Sequence, residues 1–218
     1  EYILNKICED GFTHYEQSVR IVEVLEKDGR GLNLTWEVRD GIRNHRTSGH
    51  PSTLEGAIVR LSDKIAYINH DIDDAIRARM FTEHELPRVY TDVLGHSVRE
   101  RLNNMIHDII LNSMDKPAIT MSEGMEEAMQ GLRKWMFDNV YKNDIPKAEE
   151  GKAQNIITQL YEYYMGHVDK LPVEYVLLMV NKGEKKSRVV CDYIAGMSDI
   201  YAIDQFEELF VPKRWNVY

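Results

Sequence analysis

Leu54-Glu55-Gly56-Ala57-Ile58-Val59-Arg60-Leu61-Ser62-Asp63-Lys64-Ile65-Ala66-Tyr67-Ile68-Asn69-His70-Asp71-Ile72-Asp73-Asp74-Ala75-Ile76 carries apolar residues at helical spacing from end to end. At about 100° per residue, Leu54, Ile58, Leu61, Ile65, Ile68, Ile72 and Ile76 fall on one stripe. The opposite face gathers Gly56, Arg60, Asp63, Tyr67, His70 and Asp74, with Lys64 and Asp71 on its flank. Every acidic group from Asp63 to Asp74 is Asp, a poor helix former, where a solvated face would mix Lys and Glu in i,i+4 pairs. A short, stiff carboxylate suits a hard cation or a substrate hydroxyl. On the residues alone a solvated acidic face with one Tyr remains the other reading. Ser52 or Thr53 supplies the expected cap, and Glu55 is favourable in the first turn.

Outward from this helix the same period recurs and strand signals are nearly absent. The spacing predicts helices over Glu16 to Glu26 (Val19, Val22 and Leu25 inward), from Asn33-Leu34-Thr35 onward, and over His96 to Met114. Others are predicted over Ser122 to Tyr141 (Met125, Met129, Leu132 and Met136 on one face), Lys147 to Gly166, Pro172 to Val180, and Ser187 to about Phe210. Leu86-Pro87 reads as a loop and Pro146 as punctuation. No repeat and no long linker interrupts the pattern, so residues 1–218 are expected to form a single all-α domain. The ten methionines, at helical spacing, read as core filling rather than as a promiscuous groove.

A net charge of −9 argues against a general nucleic-acid binder, which needs a basic face for phosphates. A small anion can still be held by a few local cations or a metal. Two cysteines, Cys8 and Cys191, do not make a disulfide framework, so a cytoplasmic protein is expected. No apolar run approaches the length of a membrane span. The chain opens on Glu1-Tyr2-Ile3, with neither an initiator Met nor a signal-peptide core, and a fragment of a longer protein is expected.

Gly11-Phe12-Thr13-His14-Tyr15-Glu16-Gln17-Ser18 is the second segment with chemistry in it. A His at a helix start can orient a phosphate or move a proton. The residues alone favour the plainer reading, a capping segment with Thr13 as cap and Glu16 closing a capping box.

These segments, taken with Gly31-Leu32-Asn33-Leu34-Thr35-Trp36-Glu37-Val38, with the Glu55-to-Asp74 block, and with Asp192-Tyr193-Ile194-Ala195-Gly196-Met197-Ser198-Asp199-x-Tyr201-Ala202 and Leu209-Phe210-x-Pro212, point one way. Together they resemble the bacterial dGTPase-like deoxynucleoside triphosphate triphosphohydrolases of the HD superfamily. The resemblance covers essentially the whole chain, and Asp63 to Asp74 is its most specific part. It implies a multi-helix HD-domain-like bundle, incomplete at its N-terminal side.

The family's metal site is built from a His, a His-Asp dyad and a later Asp. The resemblance implies that Asp63 is that last ligand, that Lys64 contacts the triphosphate, that Tyr67 packs on the deoxyribose and that Asp71 accepts from the 3′-hydroxyl. His14 matches a family histidine near the phosphates, a catalytic assignment. No dyad of the family type precedes His14, since His70-Asp71 belongs to the Asp63 helix. Glu1 matches the end of a family Gly-His-x-Gly-Glu segment, and no role is assigned to it. Tyr15 stands where Asn is common, and Ile200 where Arg often is, which puts a cationic role at that position in doubt.

The expected activity of the whole protein is therefore hydrolysis of a dNTP to a deoxynucleoside and tripolyphosphate. A divalent metal, Mg or Mn, would position water and the α-phosphate and lower the water's pKa. The 218-residue chain by itself, with one of four ligands, is expected to be inactive. A non-catalytic helical module for regulation or assembly, or an HD phosphohydrolase for another phosphoester, are the alternatives. Expected partners are the dNTP, the missing N-terminal segment and further copies of the chain, with neither membrane nor nucleic acid.

Overall fold

The computed structural model describes residues 1–141 and 144–213. In chain order the helices are α1 (Tyr2–Ile7), α2 (His14–Arg20), the single turn α3 (Glu26–Gly29), α4 (Trp36–Arg43), α5 (Leu54–Arg77) and α6 (Arg88–Leu94). They continue as α7 (Val98–Ser113), α8 (Glu123–Met136), α9 (Asp144–Gly166), α10 (Val173–Lys182), α11 (Lys186–Ala195) and α12 (Asp199–Phe210). No strand occurs among the described residues, and none of their helices is long and apolar enough to cross a membrane. The chain divides into two compact units, Glu1–Leu34 with Ala148–Tyr218, and Thr35–Lys147.

In the Thr35–Lys147 unit, α5 starts where expected, with Thr53 Oγ1 accepting from the Gly56 N–H at 3.0 Å. Leu61, Ile65, Ile68 and Ile72 bury as the stripe requires, the three isoleucines against Leu94, Met105, Met129, Leu132 and Met136. The stripe's first two members do not, since Leu54 and Ile58 are exposed. At that end α5 meets α4 on its other side. An added Cβ at Gly56 would lie 3.4 Å from the Gly41 Cα, so these two glycines let the helices touch backbone to backbone.

A second close approach sets α6 against α8. The Tyr90 ring lies over Gly131, and a Cβ there would sit 2.2 Å from a ring carbon. The short helix α6 escapes the apolar pattern because Pro87 reads as a loop, whereas a proline is well suited to a helix entry. The core also holds one charge: Arg101 is fully buried, donates to Asn69 Oδ1 at 3.0 Å and pairs with Glu83.

The other unit packs Leu4 and Cys8 of the first segment against Leu160, Tyr164, Val190 and Ile194. Beyond α2 the helix continues as a π-turn over Ile21–Leu25. One extra residue per turn rotates the face, so Val24 joins Leu25 at the core where regular spacing points to Val22. The pattern from Ser187 to Phe210 also splits in two. Gly196-Met197-Ser198 breaks the helix, and Ser198 caps α12. At the start of α9, Pro146 lies in the first turn, so the helix begins at Asp144 rather than after the proline.

Lys27 (φ 51°) and Asp28 (φ 57°) are both left-handed and are followed by Gly29 at φ 82°. A non-glycine residue in this region costs on the order of 1 kcal/mol or more. Lys27→Gly and Asp28→Gly should therefore each raise stability, by about 0.5–1 kcal/mol after the added unfolded-state freedom is counted. Urea unfolding midpoints of the two variants measure this, and a fall at both would mean side-chain contacts outweigh the backbone strain.

Candidate functional site

On α5 the four aspartates separate into two kinds. Asp73 pairs with Arg77 at 2.6 Å and Asp74 lies 3.8 Å from the same guanidinium, with Arg77 largely exposed. These are the i,i+4 and i,i+3 pairs of a solvated face. Asp63 and Asp71 are half-buried nearer the middle of the helix, and Tyr67 between them is 65% exposed. Asp63 has no hydrogen bond or ion pair among the described residues. His70 is exposed on the same side.

Beside Asp63 the charge changes sign. Lys64 is half-buried, and its ammonium is held below the usual lysine range, first by burial and next by the Arg60 guanidinium one turn away. Arg133 of α8 adds to the same repulsion, and only Glu126 works against it. Both arginines are tied to one residue of the loop before α5. Arg60 donates to the Thr47 carbonyl at 3.0 Å and Arg133 to Thr47 Oγ1 at 3.1 Å. Arg60 Nε is buried with no hydrogen-bond partner among the described residues. Three cations, Arg60, Lys64 and Arg133, thus gather in a chain whose net charge is −9, with Lys64 following Asp63 in the same helix. Arg60 lies on the helical face that the spacing marks out. Arg133, far off in sequence, carries no signal that would have paired it with Lys64.

In the Glu1–Leu34/Ala148–Tyr218 unit, His14 is the first residue of α2. Its Nδ1 donates to Glu1 Oε2 at 2.5 Å, and the Tyr15 ring meets it edge-on with centroids 5.5 Å apart. A carboxylate on one ring nitrogen fixes the tautomer and leaves Nε2 as the basic atom. Glu1, which carries no role in the sequence reading, is therefore a residue that orients His14. The expected capping box does not form. Thr13 is the cap residue, but its hydroxyl donates to Glu16 Oε2 at 3.2 Å and accepts nothing from the helix N–H groups.

What anchors α2 comes from the C-terminal signature. Asp192, with a side chain of zero exposure, accepts from Gln17 Nε2 at 2.9 Å and from Arg20 Nε and Nη2 at 2.9 and 2.7 Å. Glu184 takes the same guanidinium at 3.0 Å. Burial disfavours the Arg20 charge, yet the hydrogen bonds to Asp192 and Glu184 hold its pKa above the ordinary arginine value.

Among the described residues no three His, Cys, Asp or Glu side chains converge as a metal site needs. A lone carboxylate such as Asp63 does not fix a divalent ion's geometry, so the described residues do not by themselves make a metal centre.

An all-α unit with a half-buried aspartate beside a cluster of cations is the kind of site phosphohydrolases use. Residues 119–208 match the family described as a phosphohydrolase-associated domain. The chain is 51% identical to a deoxyguanosinetriphosphate triphosphohydrolase-like protein of Caldanaerobacter subterraneus, over 99% of this chain and 63% of that protein. It is 40% identical to one from Clostridium perfringens, over 98% of this chain and 64% of the relative. With one from Geobacter sulfurreducens it shares 32% identity over 97% of this chain and 68% of the relative. The chain belongs to the deoxyguanosinetriphosphate triphosphohydrolase-like family, and it spans slightly under two thirds of the length of the first two of these relatives.

Proposed function

We propose that the whole protein hydrolyses a deoxynucleoside triphosphate to a deoxynucleoside and tripolyphosphate. One observation carries this reading: the cluster of Arg60, Lys64 and Arg133 beside Asp63, with a lysine whose charge is disfavoured by burial and by its neighbours. Glu126 offsets the repulsion at Lys64 without restoring its ordinary pKa, and a polyphosphate would supply the further negative charge as it binds. Tyr67 and Asp71 stand one turn apart on the same helix, placed to offer a ring to the sugar and an acceptor to its 3′-hydroxyl. His14, oriented by Glu1, is assigned the proton transfer. Asp63 is assigned as a ligand of a divalent ion whose other ligands lie outside these 218 residues. The relatives' printed names agree with the substrate class, dGTP among them.

The test is a product assay on the whole protein with dGTP and a divalent metal salt. Tripolyphosphate and deoxyguanosine in equal amounts are expected, with neither product from the 218-residue chain alone. Pyrophosphate or orthophosphate as first product would assign a different phosphoester reaction. A whole protein inert toward every dNTP would leave a helical module without this chemistry.

A further inference from the structure

Cys8 ends α1 and Cys191 lies within α11, at opposite ends of the sequence, yet both belong to one core. Cys8 is 4% exposed and Cys191 not at all. Cys8 Sγ lies 4.0 Å from the Ser187 carbonyl oxygen, and Ser187 is one helical turn before Cys191 on the same face of α11. Burial first and then the neighbouring Cys8 raise the Cys191 thiol, and burial and then the two thiols raise the Tyr161 hydroxyl. Both cysteines are free. A buried cysteine on its own is a small apolar residue. Two that adjoin in one core, one of them against the carbonyl a helical turn before the other, are different. A disulfide would bring the two sulfurs to about 2.05 Å.

We propose that Cys8 and Cys191 are a modification site, a dithiol that closes to an intramolecular disulfide with a small disulfide oxidant such as oxidised glutathione. The thiolate of one cysteine attacks the external disulfide and releases one glutathione thiolate. The second cysteine, on losing its proton, then attacks the mixed disulfide and releases the other. The protein loses two protons and two electrons, and the oxidant leaves as two thiols. Cys191 has no exposure and Cys8 has 4%, so the first attack falls to Cys8. Cys8 closes a helix of six residues, the shorter element to open. Once formed, the bond ties α1 to α11. The first residue before α1 is Glu1, the partner of His14, and α11 carries Asp192, which anchors the helix bearing His14. The cross-link thus fastens both supports of His14 to one another. Disulfide formation stands independently of the activity proposed above.

The experiment is refolding of the whole protein from urea through a glutathione redox buffer, so that burial does not limit access. It is followed by alkylation under denaturing conditions and a non-reducing peptide map. The expected result is a peptide containing Cys8 joined to one containing Cys191, released by dithiothreitol, with an unfolding midpoint several degrees above that of the reduced form. Cys8→Ser should leave Cys191 alkylated or carrying a single glutathione. Overturning results are two alkylated cysteines in the wild type at oxidising buffer ratios, separate glutathione adducts on each, or cross-links between chains in place of the internal one.

Discussion

Asp192→Ala is expected to destabilise the Glu1–Leu34/Ala148–Tyr218 unit by about 3 kcal/mol or more, the scale for removing one partner of a buried ion pair. Among the described residues Asp192 is the carboxylate that meets Arg20 with zero side-chain exposure, and Glu184, 23% exposed, cannot replace it in the core. The guanidinium would remain charged, because arginine does not lose its proton at ordinary pH. A raised folded pKa contributes stability below the unfolded value, so the arginine's share of the pair is present across the working pH range and is lost in strong alkali. Gln17 would lose its acceptor in the same substitution. Arg20→Met with Asp192→Leu should recover much of the loss, since replacing both partners by apolar groups avoids the stranded charge. Hydrogen exchange in α2 and α11, alongside urea unfolding, reads the effect. A loss below about 1 kcal/mol for Asp192→Ala would mean that water and Glu184 solvate Arg20 fully.

Asp63→Asn in the whole protein is expected to lower kcat/KM by more than about a hundredfold, beyond what partners of metal ligands usually carry. The folded state should not notice, because Asp63 contributes no hydrogen bond or ion pair among the described residues. Asp73→Asn is the control. It removes only an exposed i,i+4 pair with Arg77 and should change activity by less than about twofold. Circular dichroism checks the fold and steady-state kinetics the rate. Equal losses at the two positions would return all four aspartates to a solvated acidic face.

These two residues also mark how far the sequence could be read. Asp63 was legible because a helix displays its chemistry at fixed spacing, and Asp63, Lys64, Tyr67 and Asp71 share a sector of α5. The methionine face of α8 and the Thr53 cap were legible for the same local reason. Asp192 stood in a recognisable signature, but nothing in its neighbours says that its partner is Arg20. That pairing is a contact across the core between α11 and α2. Arg133 and Glu1 were hidden likewise, each defined by a residue distant in sequence. Apolar periodicity also runs straight through a π-turn or a glycine. It therefore pointed to Val22 where Val24 packs, and joined α11 to α12.

The seat of Tyr90 on Gly131 has a consequence for which changes the molecule can accept. Position 131 is closed to every side chain, since even the smallest would enter the ring by more than an ångström relative to normal contact. Two residues on, Arg133 shares the helix whose distance from α6 that glycine sets. Variation at 131 would therefore be felt first as a displaced guanidinium, without touching any residue of the cation cluster. A glycine with no chemistry of its own acts there as the gauge of a remote charge.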